Sequence, residues 1–310
     1  MEKDSRIYVA GYTGLLGSAL VRKLGEEGYG DLILPAKATL DLRDQVKTKR
    51  FFQDTMPEYV FFAAGKVGGL QANSTLKAEF IRDNIQMQAN VIHSSFESGV
   101  KKLLYVSSNC AYPKECPQPM KEEDLMTGKF EPTNQPFAVA KMAGMEMCKA
   151  YNFQYETNFI TVIPASLYGP GDNYDLENAH MVSTLIKKCH EAKVKGEKEV
   201  KIPGSEERVR EMMHIDDAAD ACLFLMNNYN SSEEINAGIG KGHTIREISD
   251  LVKKVVGFDG EIKFDKDKPT GMLKKVLDSE RINRLGWSPQ IEFEEGLQKT
   301  YGWYLDNQSQ

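Results

Sequence analysis

Short apolar runs alternate with longer amphipathic segments through the first half of the chain. "RIYVAG" opens the series, and similar runs recur at "LIL", "YVFFAAG", "KLLYVSS" and "FITVIPASLYG". The segments between them, such as "AEFIRDNIQMQANVIHSSFESG", repeat apolar residues at the spacing of a helix. Because strands that alternate with helices form parallel sheets through right-handed crossovers, we predict an α/β fold built on a doubly wound parallel sheet.

The second half of the chain has a different character. From about residue 170 the alternation gives way to Gly- and Pro-bearing loops and a Lys/Glu-rich patch, "EAKVKGEKEVK". We therefore expect residues 1–170 to form a nucleotide-binding domain, to which a segment of about residues 214–240 returns. We expect residues 171–310 to form mainly a smaller α/β lobe for the substrate. In that lobe, "HTIREISDLVKKVVGF" is predicted to be a helix capped by Thr244, with Glu247 completing a capping box.

Three glycines follow the first predicted strand. "VAGYTGLLGSAL" places Gly11, Gly14 and Gly17 between that strand and the first helix. Glycines let such a turn tighten, so that backbone amides and the helix N-terminus face a pyrophosphate. Three glycines alone are a weak signal, but their position in a strand–helix–strand pattern at the start of the chain favours a Rossmann dinucleotide site.

The end of the second predicted strand indicates which dinucleotide is bound. A site for NAD usually offers a carboxylate to the ribose 2′-hydroxyl, whereas this chain reads "LILPAKATLDL". Lys37 occupies that neighbourhood, and a cation there favours the 2′-phosphate of NADPH. The alternative is that Lys37 is an ordinary solvated surface residue. We expect Asp41 and Leu42 to lie near the adenine.

Composition argues against several classes of protein. The 310 residues include 39 basic and 45 acidic residues, a formal charge of −6 without a long basic run, which argues against nucleic acid as a partner. No stretch approaches the roughly 20 apolar residues of a membrane span. The charged N-terminus lacks the apolar core of a signal peptide, so we expect a cytoplasmic protein. The spacing of the cysteines and histidines predicts neither disulfides nor a metal site.

A set of motifs gives the chain a specific resemblance. Ser107 and Ser108 end one predicted strand, and Phe137 and Lys141 stand one helical turn apart in "NQPFAVAKMAG". With these go "AGYTGLLGSAL", "AAGKVGG", "SSNCAYP", "PASLYGPGDN", "REMMHIDDAA" and "KPTGMLKKVLD". Over nearly its whole length the chain resembles the extended short-chain dehydrogenase/reductases, and among them the GDP-L-fucose synthase family most closely. The resemblance implies NADPH as cofactor and a GDP-linked 4-keto-6-deoxy sugar as substrate.

In that family a Ser, a Tyr and a Lys reduce the C4 ketone of the sugar. The matching positions are Ser108, Phe137 and Lys141, so a ring without a hydroxyl stands where the proton donor is expected. Phe keeps the ring packing and deletes the acid, and we favour an engineered, impaired variant. The alternatives are a natural member whose acid is supplied elsewhere or which no longer reduces, and a Phe that is simply a core aromatic.

The family also exchanges protons at C3 and C5 with a Cys and a His, and Cys110 and His180 match them. The resemblance implies these further contacts with the substrate: Ser108, Asn109, Lys188, Arg210 and Lys275. It implies these contacts with the cofactor: Gly11, Thr13, Gly14, Leu15, Leu16, Gly17, Lys37, Asp41, Leu42, Ala63, Ala64, Gly65, Lys141, Pro164, Leu167 and His180.

Departures from the family pattern leave alternatives open. Ser166 stands where the family commonly has Asn, so a C4 reductase that acts on a GDP-4-keto-heptose without epimerisation competes with the hexose enzyme. An enzyme that only epimerises and a non-catalytic protein that senses NADP(H) are further alternatives. By resemblance, segments 76–99 and 136–153 pair across a homodimer.

Overall fold

The computed structural model describes residues 1–176, 179–265 and 271–307 of the chain. Its strands are β1 (Ile7–Ala10), β2 (Leu32–Ile33), β3 (Tyr59–Phe62), β4 (Lys102–Val106), β5 (Phe159–Pro164), β6 (Ser166–Tyr168), β7 (Glu199–Pro203), β8 (Val209–Arg210), β9 (Met212–His214), β10 (Ile235–Ala237), β11 (His243–Thr244), β12 (Glu261–Asp265) and β13 (Lys274–Lys275). Its helices are α1 (Leu15–Glu26), α2 (Gln45–Thr55), α3 (Leu70–Thr75), α4 (Lys77–Glu97), α5 (Gln135–Tyr155), α6 (Met181–Lys195), α7 (Ile215–Asn228), α8 (Ile245–Val256), α9 (Glu280–Arg284) and α10 (Phe293–Asn307).

A six-stranded parallel sheet forms the centre of the molecule. Its strand order is β10-β5-β4-β3-β1-β2, and every neighbouring pair is parallel. All residues of β1, β4 and β5 are buried, which is expected of a sheet with helices on both faces. The prediction of a doubly wound α/β fold is confirmed.

One predicted apolar run divides into two strands. "FITVIPASLYG" supplies β5 to the large sheet, and then Ala165 donates its amide to Ala237 at 2.9 Å. At the next residue the amide of Ser166 turns instead to the carbonyl of Glu211 at 3.2 Å, and β6 pairs with β9. The chain therefore leaves the large sheet within two residues and enters the smaller part of the molecule.

Helices cover the large sheet in two groups. α1 packs against α7, while α2 and α5 pack against α4. The side chains beneath them form one extended hydrophobic cluster whose fully buried members include Phe52, Phe61 and Phe62. The sheet is thereby fixed, and the residues that follow its strands are held at one edge.

A second hydrophobic cluster lies under α6, α8 and α10. It includes Tyr168, Ile248 and Leu297, and small sheets β11-β8-β13, β12-β7 and β6-β9 accompany it. The two clusters do not follow a single cut in the chain. The elements α7 and β10 belong to the first cluster, as do Met272 and Trp287. The domain boundary at residue 170 stays a prediction.

Capping interactions fix the ends of several helices. Thr244 accepts a hydrogen bond from the amide of Glu247, and the Glu247 carboxylate accepts one from the amide of Thr244, which confirms the predicted capping box. His214 caps α7 through its ring nitrogen. Within the described residues, no helix combines the length and the apolar character that crossing a bilayer requires. The five cysteines are free thiols.

We predict that Gly17→Ala destabilises the protein by about 3 kcal/mol, as overpacking of a rigid site does. A Cβ at Gly17 would overlap the carbonyl oxygen of Gly11 and lie 2.7 Å from Tyr12 Cα, so backbone must move. Urea denaturation measures the change in the free energy of unfolding. Gly25→Ala in the same helix is the control, because its Cβ meets nothing within 4 Å. Equal stability of the two variants would contradict the prediction.

Candidate active site

A large cavity of about 1130 Å³ opens at the carboxyl edge of the parallel sheet. The segments that follow β1, β3, β4 and β5 all contribute to its walls, because parallel strands end at the same edge. Every residue that the sequence assigned to cofactor or substrate lines this cavity: Gly11, Thr13, Gly14, Leu15, Leu16, Gly17, Lys37, Asp41, Leu42, Ala63, Ala64, Gly65, Ser108, Asn109, Cys110, Phe137, Lys141, Pro164, Leu167, His180, Lys188, Arg210 and Lys275. Their placement together is an observation, and their individual roles stay predictions.

The glycine turn presents backbone amides to one end of the cavity. Gly11 has a φ of +84°, and a Cβ there would lie 2.7 Å from Ala64 Cα, so neither the backbone angle nor the space admits a side chain. Gly14 is the N-cap of α1 and offers no side-chain cap, which leaves the amides of the first turn available. This turn fits the pyrophosphate of a dinucleotide.

A basic corner lies beside the turn and includes a residue that the sequence reasoning missed. Arg43 lines the cavity with Lys37, and its guanidinium donates to both oxygens of Asp41, at 2.7 Å to Oδ2. Asp83, which is almost fully buried, accepts from Arg43 at 3.2 Å. The two carboxylates hold the guanidinium in place. The sequence feature that could have identified Arg43 is its position as the second basic residue of "KATLDLR", six positions after Lys37.

Lys141 and Phe137 lie next to each other on α5, as their spacing predicts. Lys141 is 5% exposed and donates from Nζ to the carbonyl of Val106 at 2.9 Å, and burial lowers the pKa of Lys141 to about 8. Phe137 is 7% exposed, and its ring centroid lies 5.8 Å from Lys141 Nζ. The ring meets Phe80 edge to face with centroids 6.0 Å apart. Phe137 is therefore both a packed aromatic and a wall of the cavity.

Cys110 follows β4 in a short 3-10 helix that Ser108 caps. Ser108 Oγ accepts from the amide of Cys110 at 3.2 Å. Lys275 Nζ lies 3.3 Å from Cys110 Sγ and 3.2 Å from Asn109 Oδ1. Burial acts to raise the pKa of the Cys110 thiol, but the Lys275 ammonium and the hydrogen bonds outweigh it, so that the pKa is lowered overall.

His180 forms a second polar centre with a residue that the sequence reasoning did not single out. Its Nδ1 lies 3.1 Å from Oδ1 of the buried Asp172, and the other Asp172 oxygen accepts from the hydroxyl of Ser183. The hydrogen bond to Asp172 raises the pKa of His180 against the effect of burial. The two pKa shifts are opposite, upward at His180 and downward at Cys110, which is the direction that suits an acid and a base. Asp172 lies within the motif "PASLYGPGDN", and this position was the only sequence evidence that pointed to it as a site residue.

The predicted cations differ in their surroundings. Arg210 donates to the carbonyls of Val209 at 2.7 Å and Met272 at 2.8 Å, and burial lowers the pKa of Arg210 to about 10. Lys188, on α6, donates to the carbonyl of Lys201 at 3.0 Å. Both line the cavity with partial exposure, as a site for a diphosphate requires.

Glu211, another residue that the sequence reasoning missed, joins backbone segments next to the cavity wall that Arg210 and Lys275 form. Its carboxylate is 1% exposed and accepts three backbone hydrogen bonds, from Ile239 at 2.6 Å, Gly240 at 2.7 Å and Leu277 at 2.7 Å. Burial raises the pKa of Glu211 to about 7, against the effect of those amides. The carboxylate joins the loop that follows β10 to the segment that follows β13. No periodic pattern in the sequence marks it.

Two hydroxyl groups in the cavity belong to residues to which the sequence assigns no role. Ser107 Oγ and Thr133 Oγ1 line it and are buried, and neither atom has a hydrogen-bond partner among the described residues. Among the same residues there is no group of three or more His, Cys, Asp or Glu side chains that could hold a metal ion. The first three residues of "KPTGMLKKVLD" lie outside the described residues.

Comparison with known proteins identifies the family to which the chain belongs. Residues 7–238 match the NAD dependent epimerase/dehydratase family. GDP-L-fucose synthase 1 of Arabidopsis thaliana is 48% identical over 306 residues, which cover 99% of this chain and 95% of the relative. The chain belongs to the NAD dependent epimerase/dehydratase family, in its GDP-L-fucose synthase group, which confirms the resemblance.

Two solved structures are close to the whole chain. One is a GDP-6-OMe-4-keto-L-xylo-heptose reductase from C. jejuni, with a TM-score of 0.95, 34% identity and coverage of 99% of both chains. The other is a GDP-D-glycero-L-gluco-heptose synthase from Campylobacter jejuni crystallised in the presence of NADPH. It has a TM-score of 0.93 and 35% identity, and the match covers 98% of this chain and 99% of that one.

We predict that Glu211→Gln lowers the free energy of unfolding by about 2 kcal/mol. The amide group of Gln would set a donor against a backbone N–H, and an unpaired buried donor costs about 1–3 kcal/mol. Urea denaturation at about pH 9, where the Glu211 carboxyl group is ionised, measures the loss. Glu207→Gln, at an exposed position in the preceding loop, is the control and should change stability by less than about 0.5 kcal/mol. An unchanged midpoint for Glu211→Gln would show that the three amides do not depend on the carboxylate.

Proposed function

We propose that the protein binds NADPH and a GDP-linked 4-keto-6-deoxy sugar, epimerises the sugar at C3 and C5, and is impaired in reducing the C4 ketone because of Phe137. The observation that supports this most is that the glycine turn, Lys141, Cys110, His180 and Arg210 line one cavity. The cavity volume of about 1130 Å³ exceeds what one small ligand usually occupies, and the glycine turn and the predicted diphosphate-binding cations belong to different elements of its wall.

The dinucleotide end of the site is formed by the chain's own backbone and side chains. The first-turn amides of α1 hold the pyrophosphate, Lys37 and Arg43 face the 2′-phosphate, and Asn84 fixes the loop after β3. Asn84 does so by accepting from Lys66 N and donating to Lys66 O, both at 3.0 Å. When bound, NADPH supplies the hydride for the ketone. The 2′-phosphate contact of the two cations follows from charge, because a phosphate prefers paired basic groups.

Ketone reduction needs a proton donor where Phe137 stands. Ser108 holds the C4 oxygen, and Lys141 with its lowered pKa lies where it can stabilise an ionised phenol. A positioned acid contributes about 10²–10⁴-fold to such a step, and a phenyl ring cannot supply it. If Phe137 was introduced, the impairment follows directly from the missing hydroxyl. If a natural chain draws its acid from elsewhere, the unpartnered hydroxyls of Ser107 and Thr133 are the candidates.

Epimerisation does not require the missing hydroxyl. The Cys110 thiolate removes a proton from a carbon beside the ketone, and the C–H electron pair becomes the enolate. The His180 imidazolium then returns a proton to the opposite face, and solvent restores both groups. The opposite pKa shifts of the two side chains support this assignment of base and acid.

The heptose alternative has an observation in its favour. Both solved structures described above carry heptose names, and Ser166 departs from the family pattern beside the cavity. Under that alternative the chain is a C4 reductase for a GDP-4-keto-heptose and does not epimerise it. Parallel assays of Phe137→Tyr with the hexose and heptose substrates separate the two, because the variant should reduce only the preferred sugar efficiently.

We predict that Phe137→Tyr raises the rate of ketone reduction by about 10²–10⁴-fold. The new hydroxyl extends a ring whose centroid already lies 5.8 Å from Lys141 Nζ. NADPH oxidation with GDP-4-keto-6-deoxy-D-mannose, followed by absorbance at 340 nm, measures the rate. Phe224→Tyr, a partly exposed position on α7 outside the cavity lining, adds the same atom elsewhere and is the control.

Three results distinguish the hypotheses. A gain in Phe137→Tyr alone supports the reductase. NADPH binding without turnover of either sugar in Phe137→Tyr would favour the non-catalytic NADP(H)-sensing alternative. Exchange of sugar protons with solvent deuterium and no NADPH consumption in Phe137→Tyr would leave an enzyme that only epimerises.

We also propose a homodimer formed by α4 and α5. The outward face of α5 presents Ala143, Ala150 and Phe153, whose side chain is 93% exposed, with the exposed Glu146 between the two alanines. α4, which packs against α5, presents Ile85. An exposed apolar face of this kind on two packed helices suits a second copy of the chain.

We predict that Ala143→Glu converts the dimer to a monomer, because two carboxylates would be buried against an apolar face. Size-exclusion chromatography with light scattering measures the mass. Val46→Glu on α2, where an exposed apolar residue receives the same change, should leave the mass unaltered. A monomeric unsubstituted protein would rule out the dimer.

A further inference from the structure

The buried contact between Lys275 and Cys110 joins residues far apart in the sequence. Lys275 is 9% exposed, and its Nζ lies 3.3 Å from Cys110 Sγ and 3.2 Å from Asn109 Oδ1. Both residues line the cavity, at the position where β4 ends. A lysine that serves only a diphosphate needs no contact with a thiol.

The backbone around Lys275 is held from two sides. β13 pairs in parallel with β8, and the amide of Glu211 donates to the Lys275 carbonyl at 3.1 Å. On the following residues, Val276 donates to Gln118 Oε1 at 3.0 Å and Leu277 donates to Glu211 Oε2 at 2.7 Å. The ammonium therefore reaches Cys110 from a fixed strand, and the contact belongs to the fold.

The groups around Cys110 favour a charged sulfur. Two cations act on the thiol, Lys275 in contact and Arg210 farther away, and Ser108 contributes a hydrogen bond. On the other side Cys110 packs against the apolar cluster of Ala72, Phe80 and Phe137, and this burial acts to raise the pKa of the thiol. The adjacent cation and the hydrogen bonds outweigh burial, so the pKa of the thiol is lowered overall.

We propose that Lys275 is a positioning residue for Cys110, whose sulfur it holds as a thiolate beside the sugar-binding cavity. Lys275 thereby acts on the base of the epimerisation, in addition to any contact with the diphosphate. The catalytic consequence rests on the function proposed above. In that step the thiolate accepts the carbon-bound proton and becomes a neutral thiol, so Lys275 also sets how readily the thiol loses the proton again.

The test is the pH dependence of Cys110 alkylation. The full-length protein with NADPH is treated with iodoacetamide between pH 5 and 10, and the modification of Cys110 is quantified by mass spectrometry. We expect Lys275→Met to raise the midpoint by about one pH unit or more, which slows alkylation about tenfold on the acidic side. Lys275→Arg should retain most of the low midpoint because it keeps the charge.

Lys274→Met is the matched control. Lys274 precedes Lys275 on the same strand, but its side chain is exposed. The midpoint of Cys110 alkylation in Lys274→Met should equal that of the unsubstituted protein. If Lys275→Met also leaves the midpoint unchanged, the proposal is wrong.

A second measurement covers the case in which Lys275→Met does not fold. The absorbance of the thiolate near 240 nm is titrated in the unsubstituted protein and in Cys110→Ser, and their difference isolates Cys110. A midpoint below the ordinary thiol value of about 8.5 supports the pair, and a midpoint at or above it overturns the proposal.

The consequence for the reaction is measured separately. Uptake of solvent deuterium at C3 and C5 of the sugar should fall in Lys275→Met and show a profile shifted to higher pH. If the unsubstituted protein exchanges no sugar protons, the proposed epimerisation fails, while the thiol titration still decides the Lys275–Cys110 pair.

Discussion

Hydrogen bonding between parallel strands is the constraint from which the site follows. Because all six strands of the large sheet run in one direction, their carboxyl ends must meet at one edge. Packing of the buried side chains of β1, β4 and β5 holds these strands in place. The loops that follow the strands therefore begin at fixed positions. Gly11, Ala63, Ser108 and Ala165 come from four distant segments and line one cavity for that reason. The small sheets add the remaining wall through β8 and β13.

The sequence predicted the parts of the structure that depend on local patterns. Apolar runs predicted five of the six strands of the large sheet, β1 to β5, but not β10, and glycine spacing predicted the turn before α1. Thr244 and Glu247 predicted their own capping box, since that motif lies within four residues. The resemblance placed residues as distant as Gly11 and Lys275 in one site, and the structure brings them to one cavity.

The remaining features depend on pairings that no local pattern encodes. β8 and β13 have two residues each, too few to show a period, so neither their pairing nor the contact of Lys275 with Cys110 could be foreseen. Glu211 joins amides 28 to 66 positions away. Arg43 was overlooked because its importance comes from Asp83, a residue on α4. In each case a polar side chain reaches across the tertiary structure.

The edge-to-face contact between Phe80 and Phe137 has a consequence for the output of such an enzyme. It fixes the ring at the cavity wall without any help from a hydroxyl, so the fold tolerates the loss of the acid. In a site that both epimerises and reduces a ketosugar, reduction of the ketone is the step that makes the epimerisation irreversible. Under the function proposed above, a site without that hydroxyl releases the epimerised ketone and does not reduce it. The expected product is then an equilibrium mixture of ketosugars, whose ratio is set by their relative stabilities in water and no longer by the enzyme.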